Sequence, residues 1–275
     1  MNKLKRYLIL GLVILWSAPA IAGETLDRIN KSKILTDVVD PSYPPFSFLN
    51  DKNQMDGFDI DVAKAVAERL GVKLHIDTPS WEVVTAGHWR GRWDVCICSM
   101  TPDKKKAQVL DFVIPYYNSP AVLVSTIGNS TIQSIRDLSG KKIGVEQGSS
   151  YERYLQKDLE IPTTKSKPLD FPFSNIRVAP YGSEDLAFQD LSLGAGKRID
   201  AIVSNYSTAK LRIDKMPGKF KIIGEPLYIE PNWIAIDKGD KEWSALLASK
   251  INDLKKDGTL TRISNKWLGK DITQD

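Results

Sequence analysis

The sequence predicts an α/β protein made of two lobes that are joined by two crossovers. From residue 34 onwards, short apolar runs alternate with amphipathic helical stretches, a pattern typical of parallel sheets covered by helices. The alternation is interrupted at residues 111–117 and then begins again, so we expect two units in series. A chain of 275 residues, 42% of them hydrophobic, is large enough for two such cores.

The N-terminal segment has the composition of a secretory signal. Lys3, Lys5 and Arg6 precede an apolar run over residues 7–16, and small residues follow as far as Ala22. This pattern is typical of a leader that is cleaved after Ala22, and its apolar run is shorter than the roughly 20 residues that span a bilayer. We therefore expect an exported chain, with an uncleaved anchor as the alternative.

Charge and residue spacing argue against nucleic acid, metal and disulfide chemistry. The full chain carries a net charge of +4, and three basic residues of the leader leave only +1 to the remainder, which gives no electrostatic footprint for nucleic acid. His75 and His88 have no cysteine or acidic cluster at metal-ligand spacing, so we expect no metal. Cys96 and Cys98 lie two apart in a predicted strand. An extended backbone holds such a pair too far apart for an unstrained disulfide, and we expect two buried thiols.

The first predicted unit follows the order strand, helix, strand, helix, strand, which right-handed crossovers turn into a parallel sheet. Three prolines in the loop Asp40–Phe46 hold Tyr43 and Phe46 in fixed directions. Asp59 is a suitable N-cap for the first helix, and Gly71 is a suitable end. The predicted strands cover residues 34–39, 72–76 and 95–98, and the predicted helices cover residues 60–70 and 82–89.

Polar groups follow the carboxyl end of the strand at residues 95–98. Cys98 offers a carbonyl group there, Ser99 and Thr101 offer hydroxyl groups, and Lys106 offers an ammonium group on a short basic helix. In open α/β sheets, ligands bind beyond the carboxyl ends of the strands, so these residues are candidates for a binding site. The alternative is an ordinary strand–turn–helix with solvated lysines.

A second alternation of strands and helices then follows. We expect the chain to cross between the two units near residues 118–122 and again near residues 224–229, with the last two helices returning to the first unit. The strand ends of both units would then face one cleft. The strands are predicted at residues 121–125, 142–145, 176–179, 199–203, 220–223 and 233–236, and the helices at 132–138, 150–155, 183–193, 241–256 and 260–267.

Six short motifs occur in order along the chain. They are Asp40–Phe46, Gly57–Asp61, Trp93-Asp94 with Ser99–Thr101, Asp111-Phe112, Gly144–Ser150 and Lys256–Thr259. This set resembles the periplasmic polar amino-acid-binding proteins of ABC importers (bacterial solute-binding protein family 3) over nearly the whole mature chain. The resemblance implies a two-lobed periplasmic-binding-protein (Venus flytrap) fold with two hinge crossovers. Its first lobe would be residues 23–118 plus 229–275, and its second lobe residues 119–228.

The same resemblance implies a function. A protein of this kind captures a small polar ligand in the periplasm and delivers it to the membrane permease of an ABC importer. We therefore expect a monomeric binding protein for an amino acid or a related amine, with no cofactor and no catalytic residue. The alternatives are a soluble ligand-sensing module for a membrane receptor and a dehydratase-like enzyme on the same fold, for which Glu146 and Glu184 are the candidate acids.

Several positions receive binding roles from the resemblance. Tyr43 and Trp81 match aromatic positions that sandwich the ligand side chain, which for a cationic ligand adds about 0.5–2 kcal/mol of cation–π energy. Cys98 matches a position whose carbonyl group accepts a hydrogen bond from the ligand's ammonium group. Thr101 matches a position that holds the ligand through its hydroxyl and amide groups. Core packing is the alternative role for the aromatic residues.

The second unit supplies a candidate carboxylate site. Gly148, Ser149 and Ser150 open a predicted helix, and amide groups at a helix N-terminus suit the ligand's α-carboxylate. Helix capping is the alternative role for these residues.

Two positions depart from the family pattern. The family usually has an arginine for the α-carboxylate where Lys106 stands, although counting forward from Thr101 selects Lys104 instead. Either lysine keeps the charge but loses the bidentate geometry. The family also usually has an aspartate for the α-ammonium group where Asn205 stands, and an asparagine supplies no countercharge. Both changes leave room for a modified amino acid, an amine or another small polar solute.

Two carboxylates favour a basic ligand. Asp40 and Glu146 match positions near the side-chain end of the ligand, so the sequence suggests a cationic amino acid or a related amine. The alternative is that Asp40 caps the proline turn and Glu146 faces solvent.

Overall fold

The computed structural model describes residues 23–161 and 169–274. The predicted leader lies outside these residues. Among the described helices, none combines the length and the apolar character that a membrane crossing requires.

Eight helices and eleven strands make up the described part of the chain. In chain order they are α1 (Glu24–Ser32), β1 (Ile34–Val38), β2 (Ser42–Tyr43), β3 (Ser47–Leu49), β4 (Met55–Asp56), α2 (Phe58–Leu70), β5 (Lys73–Asp77), α3 (Trp81–Thr85), β6 (Cys96–Met100), β7 (Leu110–Thr126), β8 (Lys142–Glu146), α4 (Ser150–Leu155), β9 (Arg177–Tyr181), α5 (Glu184–Ser192), β10 (Ala201–Asn205), α6 (Tyr206–Lys215), β11 (Phe220–Asp237), α7 (Lys241–Lys256) and α8 (Thr259–Leu268). Short 3₁₀ helices cover Lys106–Gln108 and Ile135–Leu138.

Two long antiparallel strands join the two halves of the molecule. β7 and β11 pair along almost their whole length, from Phe220 with Thr126 to Asp237 with Leu110. They lie inside a six-stranded sheet with the order β6-β11-β7-β10-β8-β9. β1 and β5 form a parallel pair, and a bridge between Asp37 and Val95 connects β1 to the segment before β6. The chain therefore crosses between the halves twice, in the two-lobed fold with two hinge crossovers that the sequence predicts.

The buried apolar residues separate into two groups along these strands. On one side, α2, α7 and α8 pack with β6 and the first half of β7, and Trp243 lies in the middle of this core. On the other side, α4, α5 and α6 pack with β8, β10 and the second half of β7. We call the first group with its helices the first lobe and the second group the second lobe. The passage between the cores lies between Tyr117 and Ala121 on β7, and between Tyr228 and Ile234 on β11.

The proline-rich loop is fixed to the start of α2. The backbone N–H groups of Phe58 and Asp59 donate to the carbonyl oxygens of Pro45 and Phe46, at 3.0 and 2.9 Å. Gly57 makes this close approach possible, because its φ of 130° is open to glycine and because a Cβ there would lie 2.2 Å from the Phe46 carbonyl oxygen. The loop that holds Asp40 and Tyr43 is thus held in place by backbone contacts.

The structure corrects the prediction for the cysteines. Cys96 and Cys98 form a disulfide, with their Cα atoms 5.1 Å apart. A regular strand advances about 3.3 Å per residue, so a fully extended pair would be about 6.6 Å apart. The prediction of two thiols was wrong because β6 is locally compressed, and Ser99, which follows Cys98 within this strand, has a left-handed φ of 58°.

Other differences concern the ends and continuity of elements. α3 ends at Thr85 instead of residue 89, and the N-cap of α2 is Gly57 rather than Asp59. α1 and α6 have no counterpart in the prediction. The two extended runs predicted at residues 220–223 and 233–236 belong to the single strand β11.

Candidate functional site

A cavity lies between the two lobes. It is enclosed by the proline-rich loop and β6 on one side, by the start of α4 on the other, and by β11 at the crossing point. The lining residues are Asp40, Tyr43, Trp81, Cys98, Ser99, Thr101, Lys106, Glu146, Ser149, Ser150, Tyr151 and Glu230.

Glu230 is the centre of the hydrogen bonds in this cavity. Its side chain is buried on β11, and Glu230 pairs there with Ser119 in the passage between the lobes. Thr101 and Ser150 donate their hydroxyl protons to Oε2 at 2.8 and 2.9 Å. Tyr151 donates to Oε1 at 2.6 Å, and the Asn205 amide donates to the same oxygen at 3.4 Å. One carboxylate thus binds hydroxyl groups of both lobes.

Two tyrosines from opposite lobes also meet in the cavity. The hydroxyl oxygens of Tyr43 and Tyr151 lie 3.1 Å apart, and the Tyr43 ring stacks on Phe46 with ring centroids 5.3 Å apart. Trp81 lines the same space. The cavity therefore has an aromatic wall beside its carboxylates.

Lys106 is the only cation among the lining residues. Its Nζ lies 3.0 Å from Asp103 Oδ2 and donates to the Thr101 carbonyl oxygen at 3.1 Å. The Lys106 side chain is 6% exposed, whereas that of Lys104 is 73% exposed and pairs with Glu160. The structure therefore places Lys106, and not Lys104, at the cavity.

A group of buried carboxyl groups closes the other end of the cavity. Asp40 Oδ2 and Glu146 Oε1 accept no hydrogen bond from the described residues, and neither do the two carboxyl oxygens of Glu184. Burial raises the pKa of Asp40 to about 6 and that of Glu184 to about 7. Burial and the nearby Asp40 charge raise the pKa of Glu146 well above its ordinary value. Arg212 is the nearby cation, and its charge lowers the pKa values of Asp40 and Glu184.

Ser99 is held by a separate buried network behind the cavity. Its hydroxyl donates to Asp59 Oδ2 at 2.6 Å, and Tyr116 donates to Asp59 Oδ1 at 2.7 Å. The Ser99 backbone N–H donates to the Tyr116 hydroxyl oxygen at 2.7 Å. Burial raises the pKa of Asp59 to about 7. This network fixes the last part of β6, and Thr101 directly follows that strand.

Ten of the thirteen residues predicted for the site line this cavity. Three do not. Phe46 is buried between Tyr43 and Tyr117, and Gly148 lies in a neighbouring groove where its N–H donates to Glu152 at 2.7 Å. Asn205 stands behind Glu230 and also caps α6, since its side chain accepts a hydrogen bond from the Ser207 N–H.

The sequence prediction missed Tyr151 and Glu230. Tyr151 directly follows the predicted Ser150, so a search of the whole first turn of α4 would have included it. Glu230 stands between Ile229 and Pro231 next to a predicted crossover. An acidic residue at a crossover between two lobes was the available signal.

The remaining expectations concerned Asp40, Glu146 and Ser149. Asp40 does cap the proline turn, since Oδ1 accepts from the Ser42 N–H at 2.9 Å, but its other oxygen lies at the cavity. Glu146 is buried and does not face solvent. The Ser149 N–H and hydroxyl both donate to the Glu146 carbonyl oxygen, at 3.3 and 2.6 Å, and the hydroxyl accepts from the Glu152 N–H at 3.2 Å. Ser149 therefore caps α4, and its N–H does not point to a ligand carboxylate as the sequence predicts.

A two-lobed α/β fold with two crossing strands and a charged cavity between the lobes defines a ligand-binding protein of the Venus flytrap class. Residues 35–270 match the bacterial extracellular solute-binding proteins, family 3. The chain therefore belongs to that family.

Two curated relatives cover nearly the whole chain. The L-cystine-binding protein TcyJ of Escherichia coli (strain K12) is 29% identical over 266 residues, which is 96% of this chain and 94% of the relative. The L-arginine-binding protein of Pseudomonas aeruginosa is 28% identical over 279 residues, 98% of each chain.

A solved structure shows the same fold. An ancestral arginine-binding protein bound to arginine superposes with a TM-score of 0.76 and is 32% identical. The match covers 86% of this chain and 99% of the ancestral protein.

Proposed function

We propose that this protein binds a cationic amino acid in the periplasm and delivers it to the permease of an ABC importer. The observation that carries the proposal is the charge of the cavity. Three carboxyl groups line it, those of Asp40, Glu146 and Glu230, and the single lining cation, Lys106, is already paired with Asp103. Because isolated buried charges are costly, a ligand with positive charge stabilises this arrangement.

The aromatic wall supports the same ligand class. Tyr43 and Trp81 lie beside Asp40 in the lining of the cavity. A guanidinium or ammonium group over such rings gains about 0.5–2 kcal/mol of cation–π energy. The relatives named as arginine-binding proteins agree with a cationic ligand, and the cystine-binding relative makes cystine the main competing candidate.

Ligand capture requires that the two lobes close over the ligand. We propose that residues 23–118 plus 229–275 move as one lobe and residues 119–228 as the other, about β7 and β11. Tyr43 and Thr101 contact the ligand from the first lobe, and Ser150 from the second. Contacts made by both lobes exist only in the closed state, so they drive closure.

Calorimetry tests the ligand class. Protein that has been unfolded and refolded to remove any co-purified ligand is titrated with arginine, lysine, ornithine and histidine. Glutamate, glutamine and cystine form the comparison set. We expect one-to-one binding of at least one cationic amino acid and no binding of glutamate. Absence of heat with all four cationic amino acids contradicts the proposal.

The remaining parts of the proposal have their own measurements. Light scattering of the liganded protein should give the mass of a monomer. ATP hydrolysis by the reconstituted importer should rise when the liganded protein is added, which a stand-alone sensor would not cause. Mass spectrometry of the ligand after incubation should show it unchanged. A new product would favour the dehydratase-like enzyme instead.

A further inference from the structure

Glu230 is a buried carboxylate that forms no salt bridge with a cation of residues 23–161 or 169–274. Its four hydrogen-bond donors, on Thr101, Ser150, Tyr151 and Asn205, are all neutral. Among the residues that the structure describes, it takes part in no salt bridge, and no cation is among the groups that shift its pKa. Burial raises the pKa of Glu230, and the hydrogen bonds from Tyr151, Thr101 and Ser150 act in the opposite direction. The donors therefore favour the ionised form.

Thr101 connects this carboxylate with the cavity's one cation. The Thr101 hydroxyl donates to Glu230 Oε2 at 2.8 Å, while its carbonyl oxygen accepts from Lys106 Nζ at 3.1 Å. One negative and one positive group thus flank a single residue at the same end of the cavity. An ammonium group has three protons, so Lys106 has one left after bonding to Thr101 and Asp103.

The geometry points to Glu230 as the residue that binds the α-ammonium group of the ligand, with Lys106 facing the α-carboxylate beside it. A carboxylate and an ammonium group on either side of Thr101 are the complement of an α-amino acid zwitterion. Asn205 cannot supply the negative charge for this contact. Four donors already occupy the acceptor sites of Glu230, so the ammonium group replaces the longest of these contacts, the Asn205 amide at 3.4 Å from Oε1. This inference rests on the proposed function, because it assigns one end of the same cavity.

The second acidic group is separate from the first. The two groups have different hydrogen-bond partners, since Glu230 accepts from Thr101, Ser150, Tyr151 and Asn205, whereas Asp40 accepts from the Ser42 N–H. Tyr43 connects the two groups, since its hydroxyl oxygen lies 3.1 Å from that of Tyr151, which donates to Glu230, and since its own loop begins at Asp40. The cavity therefore has a zwitterion end at Glu230 and a side-chain end at Asp40 and Glu146.

The assignment is tested by combining a substitution of Glu230 with ligands that each lack one amino group of lysine. The protein variants are the wild type, Glu230→Gln and, as a control, Glu225→Gln, which changes an exposed residue of the same strand. The ligands are lysine, 6-aminohexanoate, which is lysine without its α-amino group, and norleucine, which is lysine without its side-chain amino group. Affinities are measured by calorimetry at pH 7.5.

We expect Glu230→Gln to weaken lysine binding at least 30-fold, equivalent to about 2 kcal/mol. The same substitution should change 6-aminohexanoate binding less than threefold, because that ligand lacks the group that Glu230 holds. Norleucine should lose affinity in the variant as lysine does. The control Glu225→Gln should leave all three affinities unchanged.

Three results overturn the inference. Equal weakening of lysine and 6-aminohexanoate assigns Glu230 a structural role. Weakening of lysine with no effect on norleucine places the side-chain amino group at Glu230 instead. Unchanged lysine affinity in Glu230→Gln removes Glu230 from the binding site while the proposed function stands. If the wild type binds cystine or glutamine and not lysine, the proposed cationic preference is wrong. The assignment of Glu230 is then tested separately, because Glu230→Gln must still lower the affinity for that ligand at least 30-fold.

Discussion

Lowering the pH from 8 to 5 should weaken the binding of a cationic amino acid about tenfold. Asp40 has one oxygen at the cavity without a hydrogen bond, and burial raises its pKa to about 6. With that pKa, roughly one Asp40 in eleven is ionised at pH 5, and nearly all are ionised at pH 8. Only the ionised form attracts a cation, so the apparent Kd rises about tenfold, equivalent to about 1.4 kcal/mol.

The groups around Asp40 set the limits of this effect. Glu146 titrates in the same direction, because burial and the Asp40 charge raise its pKa well above the ordinary value. Glu184 and Asp185 add negative charge, while the Arg212 charge lowers the pKa of Asp40. Tenfold is the effect of Asp40 alone, and it is the upper limit for that residue because it assumes that the protonated form binds no cation.

The free energy of unfolding of the ligand-free protein should fall as the pH rises, whereas the affinity for the cation rises. A carboxyl group whose pKa is higher in the folded state binds a proton more tightly there than in the unfolded chain. The contribution of Asp40 to the free energy of unfolding is thus complete below pH 4 and is lost as the pH rises to about 6. The loss is about 3 kcal/mol for a shift of two pKa units.

Calorimetric titrations at pH 5, 6, 7 and 8 measure the first effect, and buffers with different ionisation heats count the protons released. Asp40→Asn should bind the cationic ligand more weakly at pH 8 and should lose most of the pH dependence. Asp51→Asn, at an exposed turn, is the matched control and should behave like the wild type. A wild-type Kd that is constant within twofold from pH 5 to pH 8 would refute this account of Asp40.

Three further substitutions test how the fold positions the site. Gly57→Ala places a Cβ against the Phe46 carbonyl oxygen, so it should lower both thermal stability and ligand affinity. Asp94→Ala removes the buried partner of Arg28 and should cost about 3 kcal/mol in chemical denaturation. Trp243→Ala empties the centre of the first core and should cost about 4 kcal/mol. Residual folded protein of the last two variants should bind ligand with unchanged affinity, and a tenfold loss would contradict this.

Local signals in the sequence were sufficient for most of the fold. The alternation of apolar runs and helices predicts the order of β1, α2, β5 and β6, because each element buries one face in its own lobe. Gly71 ends α2 with a left-handed conformation, as its position after the apolar helix predicts. The periodicity predicts two units in series, but it does not by itself establish the second crossing, which the pairing of β11 with β7 shows.

Other features depend on contacts between distant parts of the chain. Glu230 is 129 residues from Thr101 and 79 from Tyr151, and no local pattern connects them. The disulfide depends on a compression of β6 that strand periodicity does not reveal. The choice between Lys104 and Lys106 depended on the 3₁₀ helix at Lys106–Gln108, which turns one lysine inwards and leaves the other at the surface.

In the proposed function, closure of the lobes and binding of a cation are coupled through the buried carboxylates. Asp40 and Glu146 come from different lobes, so the closed state brings their charges together and removes them from water. That approach is unfavourable for two carboxylates and becomes favourable when a cation lies near them. Glu230 on β11 accepts hydrogen bonds from Thr101 and from groups of the second lobe, so closure also assembles its binding site. A ligand that carries positive charge at both ends therefore stabilises the closed state more than a ligand with one charge, which is the differential affinity that closure requires.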